Sequence, residues 1–119
     1  MREARRDRLR LQHMLDACDA VTEFMAGRNE EDLITDKMLV SAVTRQIEII
    51  GEAANMVTTD LRGAHPEVPW KQIIGMRHKI IHEYFAVQTD TVWDVVQSDV
   101  PVLRAQLAAI IAGLPETGF

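Results

Sequence analysis

One short segment, Arg77-His78-Lys79-Ile80-Ile81-His82-Glu83-Tyr84, holds the residues best suited to chemistry in this sequence. An arginine keeps its proton and offers a planar fork of donors that matches a phosphate. A histidine titrates nearest neutrality and can move protons. A tyrosine hydroxyl can donate to a phosphate oxygen or accept from a donor. Arg77, His82 and Tyr84 together have the makings of phosphodiester chemistry without a metal. No glycine-rich phosphate loop is present, and neither Ser41 nor Ser98 sits in a nucleophile elbow. His78 and His82 are also spaced i, i+4, as a zinc-binding pair on a helix would be, but only Glu83 is near as a third ligand and it faces elsewhere. We therefore expect neither a metal nor another cofactor. On an ideal helix Arg77 and Tyr84 would stand about 20° apart and His82 about 140° from Arg77. The three converge only if the helix ends near His82 and opens into a cleft, or if another element supplies the rest of that cleft.

Four helical segments must position these residues. The first is expected from about Ala4 to Gly27, with Leu11, Met14 or Leu15, Cys18, Val21 and Met25 as its apolar stripe. Cys18 on that stripe reads as a buried thiol rather than a nucleophile. Gly27 is the expected stop, and Asn29 or Thr35 the next cap. In the second segment Val40, Val43, Ile47, Ile50, Ala54, Val57 and Leu61 alternate in steps of three and four. This seam fits a long helix in a bundle or a dimer interface. Gly51 inside it predicts a close helix crossing. The third helix should start at Pro69 and end near Tyr84-Phe85. The fourth should be capped by Thr89, Asp90 or Thr91 and carry Val92, Val96, Leu103, Leu107, Ile110 and Leu114. Pro101 should kink or break it. The predicted fold is all-α, an antiparallel bundle of four main helices forming a single domain over residues 1–119.

Composition narrows the function. The chain has 119 residues, 47% hydrophobic and 26% charged, with few aromatics, which suits helix packing on helix. Its single cysteine rules out an internal disulfide. The charged N-terminus does not resemble a signal peptide, and no apolar run approaches the roughly 20 residues of a membrane span; a cytoplasmic protein with no membrane partner is expected. A formal net charge of −5 argues against a broad nucleic-acid surface. Positive charge would have to be focused in one cleft, with Lys71 and Lys79 as candidate contributors, or be shared with a second subunit. Glu52, beside the seam, could be a surface charge or could pair with Arg77. His13 and His65 read as ordinary polar residues, Trp70 and Trp93 as core anchors.

Arg77-x4-His82-x-Tyr84 resembles the Arg-x(4–6)-His-x-Tyr motif of HEPN ribonucleases. The flanks resemble the HepT subfamily: Arg45-Gln46-Ile47-Glu48-Ile49-Ile50-Gly51-Glu52-Ala53, Pro69-Trp70, Ile74-Gly75-Met76-Arg77, His82-Glu83-Tyr84-Phe85 and Val92-Trp93, in the family's order. The resemblance implies a helical bundle that dimerises with two motifs facing one cleft. It implies a toxin that cleaves RNA without a metal, neutralised by a cognate minimal nucleotidyltransferase antitoxin. Carried over, Arg77 would bind and stabilise the scissile phosphate, and His82 would be the general base or acid. Tyr84 would position phosphate and accept AMP from the partner. His78 matches a polar position that is often Asn; Lys79 beside it, like Lys71, is either simply solvated or adds positive charge that would help position RNA. Two other readings stay open: a catalytically silent module that presents a nucleic acid or nucleotide to the nucleotidyltransferase, and a purely structural helical dimer.

Overall fold

The computed structural model describes residues 2–82 and 86–115, and the side chains of His82 and Ala86 fall outside that description. The fold is an all-α bundle, as expected. Its helices are α1 (Arg2–Met25), α2 (Glu30–Thr35), α3 (Lys37–Met56), α4 (Thr59–Ala64), α5 (Trp70–Ile74), α6 (Met76–Ile80), α7 (Thr89–Asp94) and α8 (Val100–Gly113). Two strands of two residues, β1 (Ile81–His82) and β2 (Ala86–Val87), pair antiparallel, with Ile81 opposite Val87 and His82 opposite Ala86.

The stripe of α1 forms as read: Leu11, Met14, Cys18 and Val21 are fully buried. Cys18 is an interior thiol. Burial first, and then Asp19, push its pKa up to about 12, against a smaller opposing pull from Arg104, so it stays protonated. Gly27 ends the first turnaround with φ +72°, a left-handed conformation that glycine adopts without a Cβ penalty. Asn29 then caps α2 in a reciprocal box with Asp32 (Asp32 N–H to Asn29 Oδ1 3.1 Å, Asn29 N–H to Asp32 Oδ2 2.8 Å). The cap of α3 is Asp36, not Thr35: Oδ1 of Asp36 accepts from Leu39 N–H at 3.1 Å. That backbone bond first, and Arg28 beside it, hold the Asp36 carboxyl below its ordinary pKa.

The seam of α3 is spent inside the chain. Val43, Ile47, Ile50 and Ala54 are fully buried, and α1 packs along α3. Those residues therefore cannot form a dimer interface. The seam also does not run to Leu61 on one helix. α3 stops at Met56, and Val57 is extended (φ −69°, ψ 138°). The cause is Asp7, a buried carboxylate on α1 that accepts from Thr58 N–H at 2.9 Å and Thr58 Oγ1 at 2.6 Å. The Thr58 hydroxyl oxygen in turn accepts from Leu61 N–H at 3.3 Å and starts α4 as a new helix. The same bonds tie the start of α1 to the end of α3, so the two helices run antiparallel.

The third helix is divided and shorter than read. α5 stops at Gly75, α6 ends at Ile80, and Gln88 N–H donates to Ile80 O at 2.7 Å. Gly51 permits the close crossing that was expected: a Cβ there would lie 3.1 Å from Ile73 O and 3.4 Å from Ile74 O of α5. Trp70 is buried and its indole N–H donates to His65 O at 2.9 Å. Trp93 packs partly buried against the core.

The last helix starts after Gln88, which gives no side-chain cap; among the described residues Asp90 Oδ1 accepts from the adjacent Thr91 N–H. Pro101 does not break it. The turn Val95–Asp99 widens to π geometry just before the proline, with Val100 N–H reaching back to Val95 O. Adding a residue to the turn accommodates a ring that has no N–H to give. Helical backbone thus continues over Thr89–Gly113, long and apolar enough in length and composition alone to cross a membrane. Asp90, Asp94, Asp99 and Arg104 interrupt it, so it holds no unbroken apolar run of that length. Its buried residues, among them Val92, Val95, Leu103 and Leu107, belong to the same apolar core as α1 and α3.

Because backbone carbonyls occupy the space beside Gly51, Gly51→Val should force α5 away from α3. We expect a loss of about 1–3 kcal/mol, read as a lowered midpoint in urea unfolding followed by circular dichroism.

Candidate functional site: the α3–α6 face

The crossing at Gly51 decides what Arg77 meets. Glu48 lies three residues before Gly51 on α3 and so shares the face on which α5 and α6 pack. Arg77 is the second residue of α6, and its Nε donates to Glu48 Oε2 at 3.2 Å. The Glu48 side chain is 21% exposed and that of Arg77 42%. The carboxylate therefore holds one edge of a guanidinium that still reaches the surface. This geometry suits a donor kept ready for an anion, because its orientation is set before the anion arrives.

Glu48 was not singled out from the sequence. Glu52, which was, lies one turn further along α3 and pairs instead with Arg45 at 3.2 Å, both side chains being mostly exposed. The signal that finds Glu48 is Gly51 itself. If that glycine marks the crossing, the charged residue one turn earlier faces the crossing helix.

The end of α6 at Ile80 takes His82 off the helical path. Its backbone lies in β1 opposite Ala86. The angle of about 140° that an ideal helix would put between Arg77 and His82 therefore does not apply, nor does the i, i+4 helical relation of His78 to His82. Among the described residues, no three His, Cys, Asp or Glu side chains stand together as a metal site. The His82 side chain and the whole of Tyr84 lie outside the described residues.

The remaining candidates diverge. His78 is exposed on α6. Lys79 lies about 200° round the helix from Arg77, and its Nζ is 4.0 Å from Asp99 in the π turn. Lys79 and Lys71 line a separate cavity of about 740 Å³, with Gln72, Met76, Ser98 and Asp99 among its other walls. The short helix α6 thus separates two environments, with Arg77 turned toward α3 and Lys79 toward the π turn. His13 is exposed, and His65 Nδ1 is 3.3 Å from Glu67 Oε2; neither is placed with Arg77.

The chain matches known proteins over most of its length. Residues 14–110 match the family model described as "Ribonuclease HepT-like". A protein of Caldanaerobacter subterraneus subsp. tengcongensis named "Putative RNase" is 40% identical over 101 residues, which is 85% of this chain and 90% of that protein. One of Thermococcus cleftensis, named "Probable ribonuclease HepT", is 38% identical over 96 residues, 81% of this chain and 87% of that one. A "Putative RNase" of Methanocaldococcus jannaschii is 35% identical over 100 residues, 84% of this chain and 92% of its own length. No solved structure matches the chain. With a family model covering most of its residues and relatives aligned nearly end to end, the chain belongs to the HepT-like ribonuclease family.

Proposed function

We propose that this protein is a metal-independent endoribonuclease acting as a toxin, with Arg77 and His82 as its catalytic residues. The observation that carries the reading is the placement of Arg77: oriented by Glu48 and partly exposed, five residues before a histidine that the end of α6 releases from the helix. Family membership and the names of the relatives support RNA as the substrate.

In this reading His82 takes the proton of a ribose 2′-hydroxyl, and that oxygen bonds to the neighbouring phosphorus. The bond from phosphorus to the 5′-oxygen breaks, and the leaving oxygen takes a proton. Arg77 donates to the phosphate oxygens as negative charge builds on them. Base and acid are both needed, and a homodimer would supply them as two copies of His82 around one cleft. Since the apolar seam of α3 is buried within the chain, such a dimer would have to form through another surface. Tyr84 would help position phosphate, as would the exposed His78. Lys79 would act on RNA only outside the immediate surroundings of Arg77, because it faces Asp99.

Restraint by a cognate minimal nucleotidyltransferase is part of the same proposal, with Tyr84 as AMP acceptor. It is the only tyrosine in the chain. AMP on its hydroxyl would bring a negative charge and bulk to the motif and oppose the RNA phosphate.

Three outcomes test this function. His82→Ala should abolish cleavage of labelled RNA in EDTA while helicity by circular dichroism stays unchanged. Arg77→Lys should lose on the order of 10²–10³ in rate, since a point charge does not reproduce the planar fork. Undiminished cleavage in His82→Ala would remove that residue from the chemistry. Incubation with the partner enzyme and ATP should raise the protein mass by AMP units, and Tyr84→Phe should prevent the increase; AMP found on another residue would dismiss Tyr84 as acceptor.

A further inference from the structure

Charge is distributed very unevenly along the bundle. Positions 1–10 hold five of the chain's 13 Lys and Arg residues and only two of its 18 Asp and Glu. All five are arginines, on the first three turns of α1. One of the two acids, Asp7, is buried and committed to Thr58. Arg2, Arg5, Arg6 and Leu9 fall within an arc of about 100° on the helix, opposite the stripe of Leu11, Met14 and Cys18 that enters the core. Arg2, Arg6 and Leu9 are exposed, Leu9 to 51%. Arg2, Arg5, Arg6, Arg8, Leu9 and Gln12 line an open groove of about 580 Å³. Nη1 of Arg8 is buried with no hydrogen-bond partner among the described residues.

Helix stability does not explain this cluster, because cations in the first turns oppose the helix macrodipole. Core packing does not explain it either, since the ridge faces away from the core. The other end of α1, about 36 Å away at 1.5 Å per residue, leads into the acidic start of α2 with Glu30, Glu31 and Asp32. A polyanion is therefore drawn to one end of the molecule and repelled from the other.

We propose that the arginine ridge of α1 is a docking surface for the RNA backbone, separate from the cleavage site. Arginine forks grip phosphates along the strand, and Leu9 offers apolar contact to a base or sugar. The identity of the polyanion rests on the ribonuclease reading. The Asp7–Thr58 bonds anchor the same turns of α1 at the end of α3, whose last residue, Met56, lies eight residues beyond Glu48. That is about 12 Å along the helix, an offset that a strand of several nucleotides spans. An acidic chain thereby binds RNA through two separated basic positions rather than one broad surface.

The test uses a fluorescein-labelled single-stranded 2′-O-methyl RNA, which binds but lacks the hydroxyl needed for cleavage. Arg2→Gln/Arg6→Gln should weaken binding by about tenfold at low salt, and the slope of log affinity against log salt should become shallower by about 1.4, two released phosphate contacts. Arg2→Lys/Arg6→Lys should retain most of the affinity and the slope. Cleavage of a dinucleotide, too short to reach the ridge, should be unchanged in both variants. Unaltered RNA affinity in the glutamine variant, with helicity preserved, overturns the proposal. So does a loss seen only toward anionic phospholipid vesicles, which would make the ridge a membrane contact. The two readings fail separately. Ridge-dependent binding by a protein that cleaves no RNA would sink the ribonuclease reading alone, and cleavage of long RNA indifferent to the ridge would sink this one alone.

Discussion

Two backbone carbonyl oxygens of α5 lie where a side chain on residue 51 would stand, and the arrangement of the site follows from that contact. With no Cβ at Gly51, α5 can rest directly on α3. α6 follows after Gly75 and inherits the approach, which brings Arg77 to Glu48. A mid-helix glycine costs about 1 kcal/mol in helix propensity against alanine, and the crossing is what that cost supports. The core on the far side of α3 is conventional by comparison: aliphatic residues of α1 and α8 that tolerate exchange of shape far better than a backbone contact does.

Periodicity made much of this legible beforehand. The stripe on α1, the apolar seam of α3, the stop at Gly27, the crossing at Gly51 and, to within one residue, the start of the third helix at Pro69 were readable, because each rests on local spacing or on a residue with one dominant conformational use. What could not be read depends on contacts between distant parts of the chain. Asp7 ends α3 from 51 residues away by taking the N–H and hydroxyl of Thr58, and nothing around Val57 announces it. The third helix stops at Ile80 as β2 comes alongside, with Gln88 bonded to the Ile80 carbonyl. The apolar pattern alone would have carried that helix further.

The candidate site was legible to a similar degree. Its residue types and spacing were plain, and so was the need for the helix to end near His82. Partner choice was not. Glu48 and Glu52 are one turn apart on α3 and indistinguishable by type, and only the crossing angle decides that Glu48 meets Arg77 while Glu52 turns to Arg45. Lys79 belongs to the other side of α6, where the π turn forced by Pro101 presents Asp99. A run of basic residues that looks like one patch in the sequence is therefore two environments in three dimensions, separated by the rotation of a five-residue helix.

In the proposed reaction Glu48 would act only by orienting Arg77. A double-mutant cycle on RNA cleavage tests this most directly, because such a cycle isolates the pairwise term. Glu48→Gln should lower kcat/KM by about tenfold when Arg77 is present, equivalent to about 1.4 kcal/mol, and should cost nothing further in the Arg77→Ala background. An equal loss in both backgrounds would contradict the account, since Glu48 would then act through the fold or through another group.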